Sequence, residues 1–438
     1  MTWQRRRESG AIGWVWLFVT VCATWSAGSE FENWPGWRGP RGDGTSREAN
    51  VPTHWNGLTG ENIAWKTEVP GIGHASPIVW EDHIFTVSCL TESLERVLLC
   101  FDRQSGELRW QQTVIRSPLE RKHHLNSHAS GTPATDGERV YVAFLDVSEQ
   151  RFGPEDDPRR RGVPIGRMVV AAFDFAGNRH WQVEAGDFSS VHGFRSDPVL
   201  FEELVIVNGD HDGESYLVAL DRATGETVWK VARWHQTRSY VTPLIRELDG
   251  RAQMVLSGSQ HIASYDPRTG DMHWWIEGPT QQFVASLVYD GQLFYMTAGF
   301  PTYHVMGIRP DGSGDVTDSH VQWHSTQARC YVPSPVVIAG RLLVTDDRGT
   351  VNCFRARDGE RLWRERLARG YSASAVTADG RAYLVADEGV TTVLRPADRL
   401  EILAENPLGE NVYASPAISQ GQIYLRGERH LYSIGPQP

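Results

Sequence analysis

Cysteine is scarce in this sequence, with five residues among 438. Cys22 lies in the N-terminal segment, so Cys89, Cys100, Cys330 and Cys353 remain for the rest of the chain. So few cysteines exclude a disulfide-dense scaffold and a cysteine-rich metal site. Cys100 and Cys353 stand where sister repeats carry alanine, so we expect small buried thiols. A bridge between Cys89 and Cys100 across a hairpin stays open.

An excess of positive charge is also absent. The chain has 43 Lys and Arg residues against 54 Asp and Glu residues, which gives a formal net charge of −11. An acidic chain argues against nucleic acid or an anionic lipid surface as the partner.

Long apolar runs are missing beyond the N-terminal segment. Residues 1–28 combine the basic triplet Arg5–Arg7, an apolar run over 11–23 and small residues over 26–28. This order predicts a secretory signal peptide, and its apolar run is too short to span a membrane. Val21, a bulky residue directly before Cys22, argues against lipidation, although a lipid-anchored protein stays an alternative to a soluble one.

Helical periodicity is absent after the signal peptide, and a repeated string is present instead. In one copy, Asp221 is followed by Gly225 and Trp229. The glycine suits a turn that needs positive φ, and the tryptophan four residues later is expected to dock against the next repeat. Further copies carry Gly106 with Trp110, Gly177 with Trp181, Gly270 with Trp274, and Gly359 with Trp363. The fifth repeat has the longer segment 309–315 instead, which predicts a lengthened hairpin.

A second repeated element is a hydroxyl or carboxyl residue, usually followed by proline, before an apolar strand. The eight copies begin at Ser76, Thr132, Asp197, Thr242, Ser286, Ser334, Ser374 and Ser415. Their spacing of 40 to 65 residues suits four short strands per repeat, joined as hairpins.

The eighth repeat lacks its tryptophan strand, and a matching strand with Trp65 stands before the first repeat. We therefore predict an all-β fold: an eight-bladed β-propeller of four-stranded blades, closed by an N-terminal strand that completes the C-terminal blade. The chain divides into a signal peptide over 1–28, an irregular lead-in over 29–62 and the propeller over 63–438.

The Asp-x-x-Thr-Gly-x-x-x-Trp pattern resembles the pyrroloquinoline quinone (PQQ)-like β-propeller repeat family over essentially the whole mature chain. The lead-in 34–40, the strand 61–66 and the segment 312–317 look like an exported bacterial branch of that family. The resemblance implies a periplasmic or secreted bacterial protein, which we expect to be a monomer. The family includes quinone-dependent dehydrogenases and non-catalytic propellers such as the outer-membrane assembly lipoprotein BamB, so it leaves function open.

The dehydrogenase branch carries adjacent cysteines beside the quinone in many members, and this sequence has no adjacent cysteine pair. We therefore predict a non-catalytic propeller without PQQ or another cofactor, which binds a protein partner or a small ligand at the channel mouth. Two alternatives remain: a PQQ- or metal-dependent oxidoreductase, and a polysaccharide-binding module that uses Tyr240, Tyr331 and Tyr371 as exposed stacking platforms.

The residues two positions before each hydroxyl or carboxyl element share its strand face, because side chains alternate along a strand. They are His74, Ser130, Arg195, Tyr240, Val284, Val332, Ser372 and Tyr413. Because the set differs from blade to blade, it predicts a binding site on a repeated scaffold. Rim histidines also suggest a metal site, but no pair has ligand spacing, so we predict no metal. The predicted binding residues are His74, His128, His192, Arg195, Tyr240, Tyr331, Tyr371 and Tyr413.

Overall fold

A computed structural model describes residues 1–2, 31–157 and 160–436. The predicted signal peptide, with Cys22, falls almost entirely outside the described residues. The described part contains 33 strands and no α-helix, and therefore no helix of the length and apolarity that crossing a membrane requires.

The strands of the first four blades follow a strand that belongs to the last blade. They are β1 Ile63–Glu68, β2 Ile78–Trp80, β3 His83–Leu90, β4 Glu95–Asp102, β5 Leu108–Arg116, β6 Ala134–Thr135, β7 Arg139–Phe152, β8 Pro164–Asp174, β9 Arg179–Phe188, β10 Val199–Phe201, β11 Leu204–Gly209, β12 Tyr216–Asp221, β13 Thr227–Ala232, β14 Leu244–Leu248, β15 Arg251–Gly258, β16 His261–Tyr265 and β17 Met272–Glu277.

The remaining strands build blades five to eight, except β21, which joins the fourth blade. They are β18 Val288–Tyr289, β19 Phe294–Ala298, β20 His304–Ile308, β21 Gly314–Asp315, β22 Val321–Ser325, β23 Val336–Ile338, β24 Arg341–Thr345, β25 Thr350–Arg355, β26 Arg361–Arg366, β27 Val376–Ala378, β28 Arg381–Val385, β29 Val390–Arg395, β30 Glu401–Pro407, β31 Ala417–Ser419, β32 Gln422–Arg426 and β33 His430–Ile434.

These strands form eight antiparallel sheets arranged as a ring, which confirms the predicted eight-bladed propeller. Each sheet has four strands, except that β21 adds a short fifth strand to the fourth blade. In the eighth blade the order is β1-β33-β32-β31, with Lys66 of β1 opposite Tyr432 of β33. The N-terminal strand therefore completes the last blade, and the prediction of closure is confirmed.

The repeated tryptophans join neighbouring blades. The indole Nε1 of Trp181 in blade two donates a hydrogen bond of 3.0 Å to the carbonyl oxygen of Arg222 in blade three. Gly225 of that turn has φ +78°, and a Cβ atom there would lie 2.7 Å from the Trp181 ring. Glycine is therefore required twice, by its backbone conformation and by the close approach of the ring.

The lengthened hairpin of the fifth blade changes this contact. Trp274 of blade four donates to the side chain of Gln253 at 2.9 Å, within its own blade. The inserted residues Gly314 and Asp315 pair in parallel with Trp274 and Trp275, which produces the extra strand β21. The sequence predicted the longer hairpin, and the structure shows that it covers the tryptophan.

The hydroxyl and carboxyl residues of the second repeated element form a closed ring of hydrogen bonds around the axis. Seven of the eight bonds run from a backbone amide of one blade to the side-chain oxygen of the next, at 2.6 to 3.2 Å. The eighth runs from Thr242 Oγ1 to Asp197 Oδ2 at 2.5 Å. These residues are buried, so each bond satisfies a polar group that water does not reach.

The lead-in closes one end of the central channel. Trp34 exchanges two backbone hydrogen bonds with Val79 of the inner strand of blade one. The fully buried Arg38 donates through Nη2 to the carbonyl oxygens of Pro335 and Ala375, at 2.7 and 3.2 Å. Burial lowers the pKa of Arg38 to about 10. The segment is thus an integral part of the packed ring.

The four cysteines in the described residues are buried and unpaired. Cys100 lies opposite Phe85 and Cys89 lies opposite Arg96, so the two cysteines are four residues apart in the register. That offset is about 13 Å, well beyond the separation that a disulfide spans. The open alternative of a Cys89–Cys100 bridge is therefore incompatible with the hairpin.

We predict that Ser334→Ala destabilises the protein by about 1–3 kcal/mol, because it leaves the buried amide of Ser286 without an acceptor. Ser334→Thr is the matched control, since threonine occupies the same ring position at Thr132 and Thr242. Urea unfolding of the three proteins measures the difference. Equal stability of the alanine variant and the wild type would refute a stabilising role for the ring.

We predict that the native protein resists alkylation by iodoacetamide at mildly alkaline pH. Burial raises the pKa of Cys100, Cys330 and Cys353 to about 12, so the reactive thiolate is scarce. Mass spectrometry should show all four thiols labelled only after unfolding. Rapid stoichiometric labelling of the native protein would contradict this.

Candidate functional site

A cavity of about 140 Å³ lies on the axis, at the end of the channel opposite the lead-in. Most of its residues precede the inner strands, whereas the lead-in pairs within two of those strands, at Val79 and Thr377. Trp37 of the lead-in forms the floor. The volume is close to the roughly 150 Å³ of a cavity that accommodates benzene.

All eight residues that lie two positions before the hydrogen-bonded ring line this cavity. The period-two alternation of side chains therefore holds in every blade at this position. Four further lining residues come from the loops that enter blades two and three, and Tyr331 comes from the loop that enters blade six. The four are His123, Leu125, Asn126 and His192.

Six of the predicted binding residues line the cavity, and two do not. The six are His74, His192, Arg195, Tyr240, Tyr331 and Tyr413. His128 turns away and contacts Glu120, with 3.2 Å between Nδ1 and Oε2. Tyr371 packs in the core between blades six and seven and is 1% exposed. Both residues lie in irregular connections. There the period-two alternation of a strand does not predict whether a side chain faces the cavity.

The aromatic residues of the cavity are held by specific contacts. The rings of His74 and Tyr413 lie 4.5 Å apart. The Tyr240 hydroxyl shares a hydrogen bond of 2.6 Å with Ser190 Oγ. The Tyr331 hydroxyl donates to Gln282 Oε1 at 3.0 Å. Tyr240 is 8% exposed, so the expectation of an exposed stacking platform is wrong there, as it is for Tyr371.

Among the described residues that line this cavity, Arg195 is the only Lys, Arg, Asp or Glu. Its guanidinium lies 4.6 Å from the centre of the Trp37 ring, and its Nη2 is 2.8 Å from Asp197 Oδ2. Asp197 is itself a member of the hydrogen-bonded ring. The cation is therefore compensated by a carboxylate, and its orientation is fixed by the scaffold.

The histidines of the cavity are weak bases. Burial, together with the charges of Arg426 and Lys122, lowers the pKa of His74 to about 4. Burial and the charge of Arg238 lower the pKa of His192 to about 4. Arg426 is fully buried and donates to Ser88 Oγ at 2.7 Å. Both imidazoles are therefore neutral at physiological pH.

The lining residues do not fit a quinone and its metal. Among residues 31–157 and 160–436, no group of three or more His, Cys, Asp or Glu side chains is placed to hold a metal ion. PQQ carries three carboxylates on a fused ring system, whereas the cavity offers one guanidinium that is already paired with Asp197. The predicted absence of a cofactor stays a prediction.

Trp37 and Asn126 line the cavity without having been predicted. The sequence marked the lead-in as ordered but irregular, and nothing local places Trp37 on the axis. Asn126 donates to the carbonyl oxygen of His192 at 2.9 Å and so ties two loops of the rim together. Only long-range packing brings these residues to the site.

The fold and the cavity define an eight-bladed β-propeller with a small cavity of mixed polar and aromatic lining at one end of its axis. The sequence profile of the PQQ_2 family, described as outer membrane protein assembly factor BamB, matches residues 213–332, 314–402 and 347–434. These matches together cover just over half of the chain, and the chain belongs to this family. The family resemblance predicted from the repeats is thus confirmed.

Solved structures share the fold. BamB from Moraxella catarrhalis superposes with a TM-score of 0.54 and is 15% identical, over 84% of this chain and 97% of that chain. A europium-containing methanol dehydrogenase gives a TM-score of 0.53 at 12% identity, over 92% of this chain and 91% of that chain. No curated protein sequence matches the chain. At these identities the likeness concerns the fold alone.

We predict that the free energy of unfolding falls as the pH is lowered from about 6.5 to 4. In that range the unfolded chain binds protons at histidine, whereas folded His74 and His192 stay neutral until about pH 4. Denaturant titrations at a series of pH values measure the slope. His74→Asn should make the slope shallower, and an unchanged slope in that variant would contradict the assignment.

Proposed function

We propose that the protein is an exported, non-catalytic binding propeller that holds a small ligand, or a side chain of a protein partner, in the channel-mouth cavity. The observation that carries the proposal is the lining itself. Eight equivalent positions of a repeated scaffold hold five different residue types around one concavity. A purely structural lining would favour similar apolar residues in every blade.

The chemistry of the lining favours an uncharged polar group. The cavity presents neutral imidazoles from His74 and His192, hydroxyls from Ser130 and Ser372, and aromatic rings. Its one charged side chain, Arg195, is already compensated. A charged ligand would lose its hydration without gaining an opposite charge, and that transfer is unfavourable. Hydroxyl or amide groups with an apolar face suit these partners.

The same lining argues against catalysis. A general base works best with a pKa near the working pH, and the imidazoles of His74 and His192 have pKa values of about 4. The four thiols in the part of the chain that the structure describes are buried and do not line the cavity. Similarity to a methanol dehydrogenase at 12% identity extends to the propeller fold only.

The exported location rests on the predicted signal peptide and on membership of a family described by an outer membrane assembly factor. We propose that the protein is a periplasmic or secreted bacterial monomer. It binds a protein partner or a ligand at the open end of the channel. N-terminal sequencing of the mature protein, combined with light scattering, tests the cleavage and the monomeric state. A retained leader or a stable oligomer would contradict this part.

Binding is tested by thermal shift with a panel of neutral sugars and amides, their carboxylate and amine counterparts, and PQQ with Ca²⁺. Only neutral members should raise the Tm of the wild type. Val332→Trp fills the cavity and His74→Ala removes a lining imidazole, so both variants should lose the shift. Val228→Trp, on the exposed face of β13, is the control that should keep it.

The proposed site would be refuted if only the charged compounds raised the Tm. It would also be refuted if the increase in Tm persisted in both cavity variants. A shift with PQQ and Ca²⁺, accompanied by dye-linked oxidation of alcohols, would instead support the oxidoreductase alternative.

A further inference from the structure

A second concavity lies at the outer edge of blade six, and arginine dominates it. Its volume is about 680 Å³. We call it the arginine cleft, and its five arginines are Arg329, Arg348, Arg364, Arg366 and Arg369. All five are exposed, and none belongs to the channel-mouth cavity.

The arginine cleft opens on the same face of the ring as the cavity. Arg348 lies in the turn between β24 and β25, which is the end of the blade where the inner strand β23 begins. Arg369 lies in the connection that follows β26 and returns to the inner strand of blade seven. Arg329 stands two residues before Tyr331, which lines the cavity. The two concavities are therefore neighbours.

These arginines lack the partners that other arginines of the same blade have. At the opposite end of blade six, Arg341 pairs with Asp398 at 2.7 Å, and Arg355 pairs with Glu360 at 2.6 Å. In the part of the chain that the structure describes, no carboxylate oxygen lies within 4.0 Å of a guanidinium nitrogen of the five cleft arginines. The blade therefore has five arginines without a carboxylate partner at one end, of which Arg329 lies over the ring of Tyr303, and paired arginines at the other.

The acidic residues of the cleft do not neutralise it. Asp346 holds its own turn, because its Oδ1 accepts the backbone amides of Arg348 and Thr350 at 2.9 and 2.8 Å. Asp347 and Glu365 are the other two acidic residues, so three carboxylates face five guanidinium groups. In a chain of net charge −11, this is a local excess of positive charge. A concave wall concentrates the resulting potential.

We propose that the arginine cleft binds sulfate or phosphate ester groups carried on a flexible soluble chain, such as an anionic oligosaccharide. The guanidinium fork matches the paired oxygens of sulfate and phosphate, and the cleft contains arginine without lysine. The concave shape admits an extended chain but not a flat membrane surface. Gathering five unpaired cations costs free energy in the free protein, and an oxyanion offsets that cost. This site is independent of the function proposed for the cavity.

The test compares two double variants with the same change in charge. Arg348→Gln with Arg366→Gln removes two cleft cations. Arg357→Gln with Arg361→Gln is the control, because both residues are exposed on blade six and lie outside the cleft. Calorimetry measures the affinity for a heparin-derived oligosaccharide, and inorganic phosphate and vesicles containing phosphatidylglycerol are the comparison arms.

The cleft variant should bind the oligosaccharide at least about tenfold more weakly than wild type, whereas the control should stay within about twofold. The Tm of the unliganded cleft variant should equal or exceed that of the wild type, since like charges are removed. Binding of inorganic phosphate that the cleft variant loses also supports the site.

Three results would overturn the proposal. The first is no binding of the oligosaccharide by the wild type. The second is an equal loss in both double variants, which would show an effect of overall charge. The third is binding to vesicles alone, which would show a membrane surface instead of a soluble chain.

Discussion

The ring of hydrogen bonds around the axis is the constraint on which the rest of the structure depends. Where eight inner strands converge, each brings a backbone amide into a space that water does not fill. In seven of the eight links the side-chain oxygen of the next blade accepts that amide, and the link between blades three and four runs instead from Thr242 Oγ1 to Asp197 Oδ2. The amide of Ser415 closes the ring by donating to Ser76 Oγ at 3.0 Å. The ring sets the radius of the channel and the position of every inner strand.

This constraint separates the scaffold from the site. Because the ring residues are committed to each other, the positions two residues earlier are free to differ, and they form the wall of the cavity. Trp37 closes the cavity from the lead-in side, and the guanidinium of Arg195 packs over its ring. The tryptophan and glycine contacts, such as Trp181 with Gly225, hold the blades together at the other end and leave the open face available. The arginine cleft uses that same face.

The cavity residues that could be predicted from the sequence are those whose orientation follows from the local backbone conformation. The alternation of side chains along a strand identified the eight cavity positions, because it depends only on backbone geometry. The predicted positions that failed to reach the cavity lie in irregular loops. His128 contacts the buried Glu120, whose pKa is lowered despite its burial by the hydrogen bond to His128 and the charge of Arg96. Tyr371 enters the core, although Tyr331 at the same offset in the preceding blade lines the cavity.

The sequence by itself determined the number of blades, the strand that closes the ring and the residues of its inner rim, because each follows from a repeated pattern of local conformation. The tertiary structure alone decided that the lead-in plugs one end, that Arg195 is compensated by Asp197, and that five arginines from separate segments meet in one cleft. These features depend on contacts between residues far apart in the chain. The positions of those residues are set only when the ring closes.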